Sequence, residues 1–155
     1  LKLMKNKVNS SLLISTLFGL GYLSKFPGSL ASFVTLPIFW VLSKFISHVN
    51  LVILLVIMTF LSFLIIHLTL KTINEKDPGF IVLDEFIGQF VALLFCNETF
   101  SAFIAAFVIF KTFDILKPFP ISFFDKLNNS FGVLMDDIIA GLISGIIVYS
   151  FYAFD

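Results

Sequence analysis

The sequence of 155 residues contains no arginine, a single cysteine and few charged residues. Its ten lysines balance ten acidic residues, and a net charge of zero excludes the basic surface typical of nucleic-acid-binding proteins. The lone Cys96 excludes an intrachain disulfide and a cysteine-ligated metal cluster, and its apolar neighbours indicate a packing role. A charged fraction of 13% is also too small to cover a soluble domain of this size.

Apolar residues make up 59% of the chain, which includes 22 phenylalanines. The mean hydropathy of +1.06 exceeds what a small soluble domain shows, because such a domain needs polar residues on its outside. We therefore expect lipid to surround much of this protein. A length of 155 residues predicts a single domain covering residues 1–155.

Long apolar segments predict an all-α fold, a small multi-helix integral membrane bundle with about four or five membrane segments and short interfacial helices or loops. The clearest segment, 51–70, contains no Lys, Asp or Glu and has the roughly 20 residues that a bilayer core requires. The other apolar segments are 30–46, 80–96, 100–113 and about 133–154. Pro37 should kink the first of these or delay its helix start. The segments 80–96 and 100–113 are short for full crossings, so we expect them to be tilted, partly re-entrant or packed within the bundle.

The lysines predict the orientation of the bundle in the membrane. If the N-terminus is cytoplasmic and the segments alternate, only Lys44 falls near the outer face. The other nine lysines then lie on the cytoplasmic side: Lys2, Lys5, Lys7, Lys25, Lys71, Lys76, Lys111, Lys117 and Lys126. The apolar stretch 12–20 superficially resembles a signal peptide. No small-x-small cleavage site follows it, so we expect it to stay in the mature protein.

Four polar clusters fall on the same predicted face, with the sequences LSKFPGS, KDPGFIVLDE, FDILKP and MDDIIAG. They contain six of the ten acidic residues, namely Asp77, Asp84, Glu85, Asp114, Asp136 and Asp137. An ionised carboxylate buried without partners is strongly destabilising. Adjacent acids inside an apolar run, such as Asp84 and Glu85, therefore indicate a specific task at this interface.

Two of the clusters place a small residue one helical turn after an acid. Asp84 is followed four residues later by Gly88, and Asp137 by Gly141; Asp136 and Ala140 repeat the spacing. Because residues four apart share a helix face, a neighbouring helix can approach closely there. We predict that two helices cross just beneath acidic first turns and bring their carboxylates together. Facing carboxylates repel each other unless a proton or a cation lies between them, and an oxygen-rich site suits Mg²⁺.

Simpler interpretations remain open for each residue taken singly. Any one of the acids fits a helix cap or a group in interfacial water, and Asp77 in KDPG fits an ordinary turn. Lys111 and Lys117 fit interfacial side chains that extend towards water. Asp114 and Lys117, three residues apart, also fit a simple ion pair. The four clusters taken together favour a shared site.

Read in order, GLGYLSKFPGSLAS, KDPGFIVLDEFIGQ, FKTFDILKPFPI and GVLMDDIIAG resemble the phosphatidylglycerophosphatase A family of bacterial membrane lipid phosphatases. The resemblance covers residues 19 to about 145. It implies Mg²⁺-dependent removal of the terminal phosphate from phosphatidylglycerophosphate, which gives phosphatidylglycerol. With the lysine pattern, it predicts a multi-pass protein of the bacterial inner membrane, and the lysines predict an active site on the cytoplasmic face. The matching motifs are DExxG at Asp84 and Glu85, FDxxKPxP at Asp114 and Lys117, and DDxxAG at Asp136 and Asp137.

The resemblance and the acidic clusters together suggest roles for the site residues. The expected metal ligands are Asp84, Asp136 and Asp137, and the expected general base is Glu85 or Asp114. The expected phosphate contacts are Lys111, Lys117, Lys25 and Ser29. Lys111 stands where the family commonly carries arginine, so a point charge replaces a bidentate phosphate grip. SKFPGS likewise departs from the family's usual Ala-Pro-Gly-Thr stretch.

Other enzyme classes lack their required residues. Cys96 is followed by no phosphate-cradling loop, and the absence of arginine excludes phosphatases that use a histidine nucleophile. His48 and His67 therefore fit packing or interfacial positions. An ion or proton transporter and a non-catalytic membrane subunit remain the alternatives, since carboxylates at membrane depth often mark an ion path. The sequence leaves the oligomeric state open, with a homo-oligomer as one alternative.

Overall fold

The computed structural model describes residues 10–73, 75 and 78–152, and this part of the chain is helical with connecting turns. The described α-helices are α1 (Ser10–Ser15), α2 (Pro27–Phe45), α3 (His48–Ile73), α4 (Leu83–Leu93), α5 (Phe100–Leu116), α6 (Ile121–Asp125) and α7 (Ser130–Tyr152). A short 3-10 turn, Leu20–Tyr22, lies between α1 and α2. The predicted all-α fold is confirmed. Lys2, Lys5, Lys7, Lys76 and Asp77 lie outside the described residues.

Within the described part of the chain, three helices are long and apolar enough to cross a membrane: α2, α3 and α7. The segment 51–70 forms the centre of α3, whose 26 residues extend about 39 Å at 1.5 Å per residue. The segments expected to be short form α4 and α5, with 11 and 17 residues. The membrane bundle therefore consists of three long apolar helices and two shorter ones packed with them.

The starts of α2 and α7 differ from the expected positions. Helix α2 begins at Pro27, where proline suits the first helical turn, and Pro37 lies inside the helix without delaying its start. Helix α7 begins at Ser130, where the Asn129 side chain accepts a hydrogen bond of 2.8 Å from the backbone N–H of Gly132. Because of this earlier start, the prediction that the α7 acids occupy its first turn is wrong.

Helix α4 lies at the centre of the bundle and is in contact with α2, α3, α5 and α7. Nearly all its residues are buried, and Phe90 packs edge-on against Phe39 of α2 at a centroid distance of 5.0 Å. A helix surrounded by protein can be apolar on every side. Apart from Asp84, Glu85 and Gln89, α4 is apolar in this way. This explains why the segment 80–96 is strongly apolar yet too short for a full crossing.

The predicted close crossing of two helices is confirmed between α4 and α7. A Cβ placed on Gly88 would lie 2.6 Å from the backbone oxygen of Asp137, and a Cβ on Gly141 would overlap the backbone oxygen of Gly88. Glycine at both positions lets the two backbones meet. The crossing therefore fixes the acidic turn of α4 beside Asp137.

The charged residues of the described chain gather at two ends of the bundle. One end, called the acidic end here, is formed by the starts of α2, α4 and α7 and the last turns of α3 and α5. At the opposite end Lys44 pairs with Glu98, and His48 Nε2 lies 2.9 Å from the backbone oxygen of Leu94. The clusters at residues 23–29, 83–85, 113–118 and 135–141 all reach the acidic end, which agrees with the predicted path of the chain.

Candidate active site

A cavity of about 380 Å³ opens at the acidic end between α4, α5, α6 and α7. Its polar lining residues are Asp84, Glu85, Asp114, Lys117, Asp125, Asn128, Asp136 and Asp137. The lining contains more acidic than basic groups, so a ligand that binds here must bring or share positive charge. The cavity is the place where three of the four sequence clusters meet.

Three carboxylates form the most closely spaced acidic group of the described residues. One oxygen from each of Asp84, Glu85 and Asp137 lies within 4.8 Å of the other two. Asp84 and Asp137 are buried and Glu85 is half-buried. We call these residues the carboxylate triad. Two come from the first turn of α4 and one from α7, so the Gly88–Gly141 crossing is what brings them together.

The start of α2 lies directly against the triad. A Cβ placed on Gly28 would overlap the carboxylate of Glu85, so a larger residue here would displace that side chain from the triad. The first sequence cluster thus contacts the site through Gly28, which sequence analysis missed. Lys25 is exposed, Ser29 is half-buried, and neither lines the cavity.

Lys117 enters the cavity from the end of α5. It has a left-handed backbone conformation, with φ 44°, that ends the helix and turns the chain towards α6. Its ammonium pairs with Asp125 and also lies 2.9 Å from Oδ2 of Asp136. Partial burial lowers the pKa of Lys117, but the hydrogen bonds and charges of these two carboxylates outweigh burial and raise the pKa overall. Lys117 therefore stays charged throughout the physiological pH range.

These contacts differ from two sequence-based assignments. Asp136 was expected to hold the metal, but its Oδ2 accepts from Lys117 and its Oδ1 accepts from the backbone N–H of Asp137 at 3.0 Å. Glu85 takes the third place among the clustered carboxylates instead. The alternative of a simple ion pair between Asp114 and Lys117 is wrong, because the turn at Lys117 directs its side chain to Asp125 and Asp136.

Lys111 pairs with Asp114 one turn before the end of α5. The pair is largely buried, with side-chain exposures of 11% for Lys111 and 15% for Asp114. Asp114 lines the cavity, and Lys111 lies close enough to Glu85 and Asp137 for their charges to act on it. Lys111 thus supplies positive charge beside the triad without lining the cavity itself.

Asp125 and Asn128 also line the cavity, and sequence analysis did not predict either of them. Their signal was the polar sequence DKLNNS after the KPFP turn, which is short enough to fold back on Lys117. The histidines lie outside the cavity lining: His67 Nδ1 is 3.0 Å from the Ser130 hydroxyl, and His48 is at the opposite end. Burial raises the pKa of the Cys96 thiol to about 12, which agrees with the expected packing role.

A family model described as "Phosphatidylglycerophosphatase A" matches residues 13–152, nearly the whole chain. The chain belongs to the phosphatidylglycerophosphatase A family. Membership of this family makes the chain a phosphoric monoester hydrolase of phospholipid metabolism, and its long apolar helices identify a membrane protein.

Two of three similar proteins carry the family name, and the third is named for a different lipid phosphate. Phosphatidylglycerophosphatase A of Escherichia coli (strain K12) is 34% identical over 139 residues, which cover 88% of this chain and 80% of that protein. The Haemophilus influenzae protein of the same name is 43% identical over 84 residues, covering 53% of this chain and 52% of its own. A Bacteroides thetaiotaomicron protein, provisionally named a phosphatidylinositol-3-phosphatase, is 30% identical over 152 residues, 94% of this chain and 95% of that protein. No solved structure matches the chain.

Proposed function

We propose that this protein hydrolyses the terminal phosphate of phosphatidylglycerophosphate to give phosphatidylglycerol, using Mg²⁺ held by Asp84, Glu85 and Asp137. The observation that carries the proposal is the carboxylate triad, which stands beside two lysines at the polar end of a membrane bundle. A lipid phosphomonoester can place its phosphate in this cavity while its acyl chains stay in the bilayer.

The donor atoms present fit a small divalent cation. Oε2 of Glu85 and Oδ1 of Asp137 are buried and have no hydrogen-bond partner within the described chain. A buried polar atom without a partner costs about 1–3 kcal/mol, and more when it is charged. Carboxylate oxygens in a compact group are the donors that Mg²⁺ takes. When bound, Mg²⁺ would stabilise the negative charge on the phosphoryl oxygens as a Lewis acid.

The lysines contribute positive charge for the substrate phosphate. Lys117 is held by Asp125 and Asp136, so its ammonium is fixed at the cavity wall and can donate to a phosphoryl oxygen. In this proposal Asp136 positions Lys117, while Lys111 adds positive potential from behind the triad. Both lysines act as point charges and not as bidentate clamps.

Asp114 is the remaining cavity carboxylate suited to accept a proton. It lines the cavity but lies outside the triad, and its pairing with Lys111 fixes its position. In our proposal Asp114 takes the proton from the water that attacks phosphorus. The sequence-based alternative, Glu85, is less suited to this task because its carboxylate belongs to the triad.

We place the site at the cytoplasmic face of a bacterial inner membrane. Lys25, Lys71, Lys117 and Lys126 lie at or near the acidic end, whereas Lys44 lies at the opposite end. An excess of lysine favours the cytoplasmic side of a membrane protein. A transporter would need acidic groups that continue an ion path across the membrane. At the end opposite the site, Glu98 instead forms an exposed pair with Lys44, so a transporter is less well supported.

The test is phosphate release from phosphatidylglycerophosphate by the protein purified in detergent, with Mg²⁺ or with EDTA. We expect release only with Mg²⁺, and none from the variants Asp84→Asn, Glu85→Gln or Asp137→Asn. Asp136→Asn should be less impaired than these three, because it loosens Lys117 and leaves the triad intact. Phosphatidylinositol 3-phosphate serves as the competing lipid. Near-normal activity in all three triad variants would refute the proposal.

A further inference from the structure

Gln89 is a fully buried amide in the middle of the apolar helix α4. Its exposure is 0%, and neither its side-chain oxygen nor its side-chain nitrogen has a hydrogen-bond partner within the described chain. Buried polar side chains are nearly always hydrogen-bonded, to protein or to ordered water. Leaving both ends of an amide unpaired would cost about 1–3 kcal/mol for each group. Gln89 therefore needs a partner that side-chain packing alone does not supply.

The position of Gln89 on α4 indicates what that partner is. Gln89 follows Glu85 by four residues, so the two side chains share one face of the helix. Long side chains on a helix lean towards its N-terminus, which directs the amide of Gln89 over the turn that carries Glu85. Oε2 of Glu85 is itself buried and has no hydrogen-bond partner among the residues that the structure describes. Two unpartnered groups thus lie on neighbouring turns of the same helix face.

Two sides of the Glu85 carboxylate are already occupied. Gly28 of α2 closes one side of the carboxylate so tightly that a Cβ would overlap it. Another side is occupied by the other members of the triad. No direct hydrogen bond joins Gln89 to Glu85 among the described contacts, and an ordered water commonly bridges buried polar groups that do not bond directly.

We propose that Gln89 is a positioning residue for the metal site, with its amide nitrogen donating through one ordered water to Oε2 of Glu85. This inference rests on the proposed function, in which Glu85 holds Mg²⁺. Carboxylates that hold metals are generally fixed by an outer hydrogen-bond partner, and removing that partner weakens metal binding by about 10- to 100-fold. Gln89 supplies such a partner from within the buried helix α4.

A purely structural role for Gln89 predicts different behaviour. An amide that only fills space would be replaced by leucine or methionine with equal or greater stability, because two unpaired polar groups disappear. If the amide instead positions Glu85, its replacement should weaken Mg²⁺ binding and should not raise the metal-free stability. Stability without metal and affinity for the metal therefore separate the two roles.

The experiment compares wild type, Gln89→Leu and Gln89→Met in detergent, titrating each with Mg²⁺ and following the thermal unfolding midpoint. Without metal, we expect both variants to unfold at the same or a lower temperature than wild type, because Oε2 of Glu85 loses the donor that the proposal assigns to it. We expect the Mg²⁺ concentration needed for half of the stabilising shift to rise about 10- to 100-fold. Ser144→Ala is the matched control, because Ser144 is a buried polar residue of α7 bonded within its own helix to Ala140 O at 2.6 Å. It should leave the Mg²⁺ midpoint unchanged.

Several results would overturn the inference. These are an unchanged Mg²⁺ midpoint in both variants, a higher metal-free unfolding temperature in both, or a wild type that Mg²⁺ does not stabilise. Phosphate release from phosphatidylglycerophosphate by wild type is measured in parallel. A wild type that binds Mg²⁺ but releases no phosphate would refute the proposed function, while the metal titration would still decide the role of Gln89.

Discussion

Replacing Gly88 with alanine should damage the site far more than it damages the fold. The added Cβ would lie 2.6 Å from the backbone oxygen of Asp137 and 2.8 Å from the ring of Phe110. Ordinary contact begins at 3.4 Å, so α7 would have to withdraw by about 0.8 Å at this point. The atom that must move is backbone, which no side-chain rotation can relieve. The withdrawal takes Asp137 away from Asp84 and Glu85.

The magnitudes of the two effects of Gly88→Ala can be compared. Overpacking lowers the free energy of unfolding by about 1–3 kcal/mol, and the higher helix propensity of alanine over glycine raises it by about 1 kcal/mol. The net loss of stability is therefore at most about 2 kcal/mol. A displacement of about 1 Å at a reaction site can lower the rate about 100-fold. We expect a folded protein with roughly 1% of wild-type activity.

Phosphate release and thermal unfolding, measured on the same preparation, test this prediction. Gly145→Ala is the matched control, because its Cβ would meet the side chain of Phe95 at 2.5 Å, two turns farther from the triad. Its folded fraction should keep near-normal activity. Gly88→Ala with activity within about threefold of wild type would refute the view that this crossing sets the distance between the carboxylates.

Further predictions concern the residues around the triad. Lys117→Gln should lower kcat/KM by about 10- to 150-fold, because a hydrogen bond to a charged group contributes about 1.5–3 kcal/mol. Asp125→Asn should have a smaller effect, because Asp136 still holds the lysine. Lys25→Gln should change kcat/KM less than Lys117→Gln does, since Lys25 is exposed outside the cavity; an equal loss would restore it as a phosphate contact. Cys96→Ser, and treatment of wild type with a thiol reagent at pH 7, should leave activity unchanged, because a thiol with a pKa of about 12 is protonated and lies outside the cavity.

The helix crossing could be predicted from sequence because its signal is local. An acid followed by glycine four residues later marks the contact face of a helix, and Asp84–Gly88 and Asp137–Gly141 are the two faces that meet. The apolar runs predicted the helices for a similar reason. Their ends were less predictable, because the start of α7 depends on the Asn129 cap and not on the apolar pattern.

The sequence did not predict as well which of the acids come together in the fold. Asp136 and Asp137 are neighbours in sequence, but consecutive residues on a helix point about 100° apart. Ala140, one turn after Asp136, packs with Phe110 and Ile121, so this face of α7 looks towards α5 and α6 and not towards α4. Asp136 therefore meets Lys117. This outcome depends on the packing of three helices, which spacing along one chain does not specify.

The contribution of Gly28 was hidden for a related reason. Nothing near residues 23–29 indicates that the start of α2 will close against Glu85, about 57 residues later in the chain. Lys25 and Ser29 are the residues of that cluster with functional groups that could bind phosphate, yet Gly28 is the one that contacts the site. A residue that acts by being small leaves little signal in a single sequence.

Direct binding of a paramagnetic substitute, Mn²⁺, gives the sharpest test of the metal site. Free Mn²⁺ can be counted by electron paramagnetic resonance while purified protein is titrated in detergent. The account predicts saturable binding that is lost in Asp84→Asn on α4 and also in Asp137→Asn on α7, and kept in Asp136→Asn. Binding that survives both of the first two substitutions, or that wild type does not show, would contradict the claim that carboxylates from two crossing helices jointly hold a divalent ion.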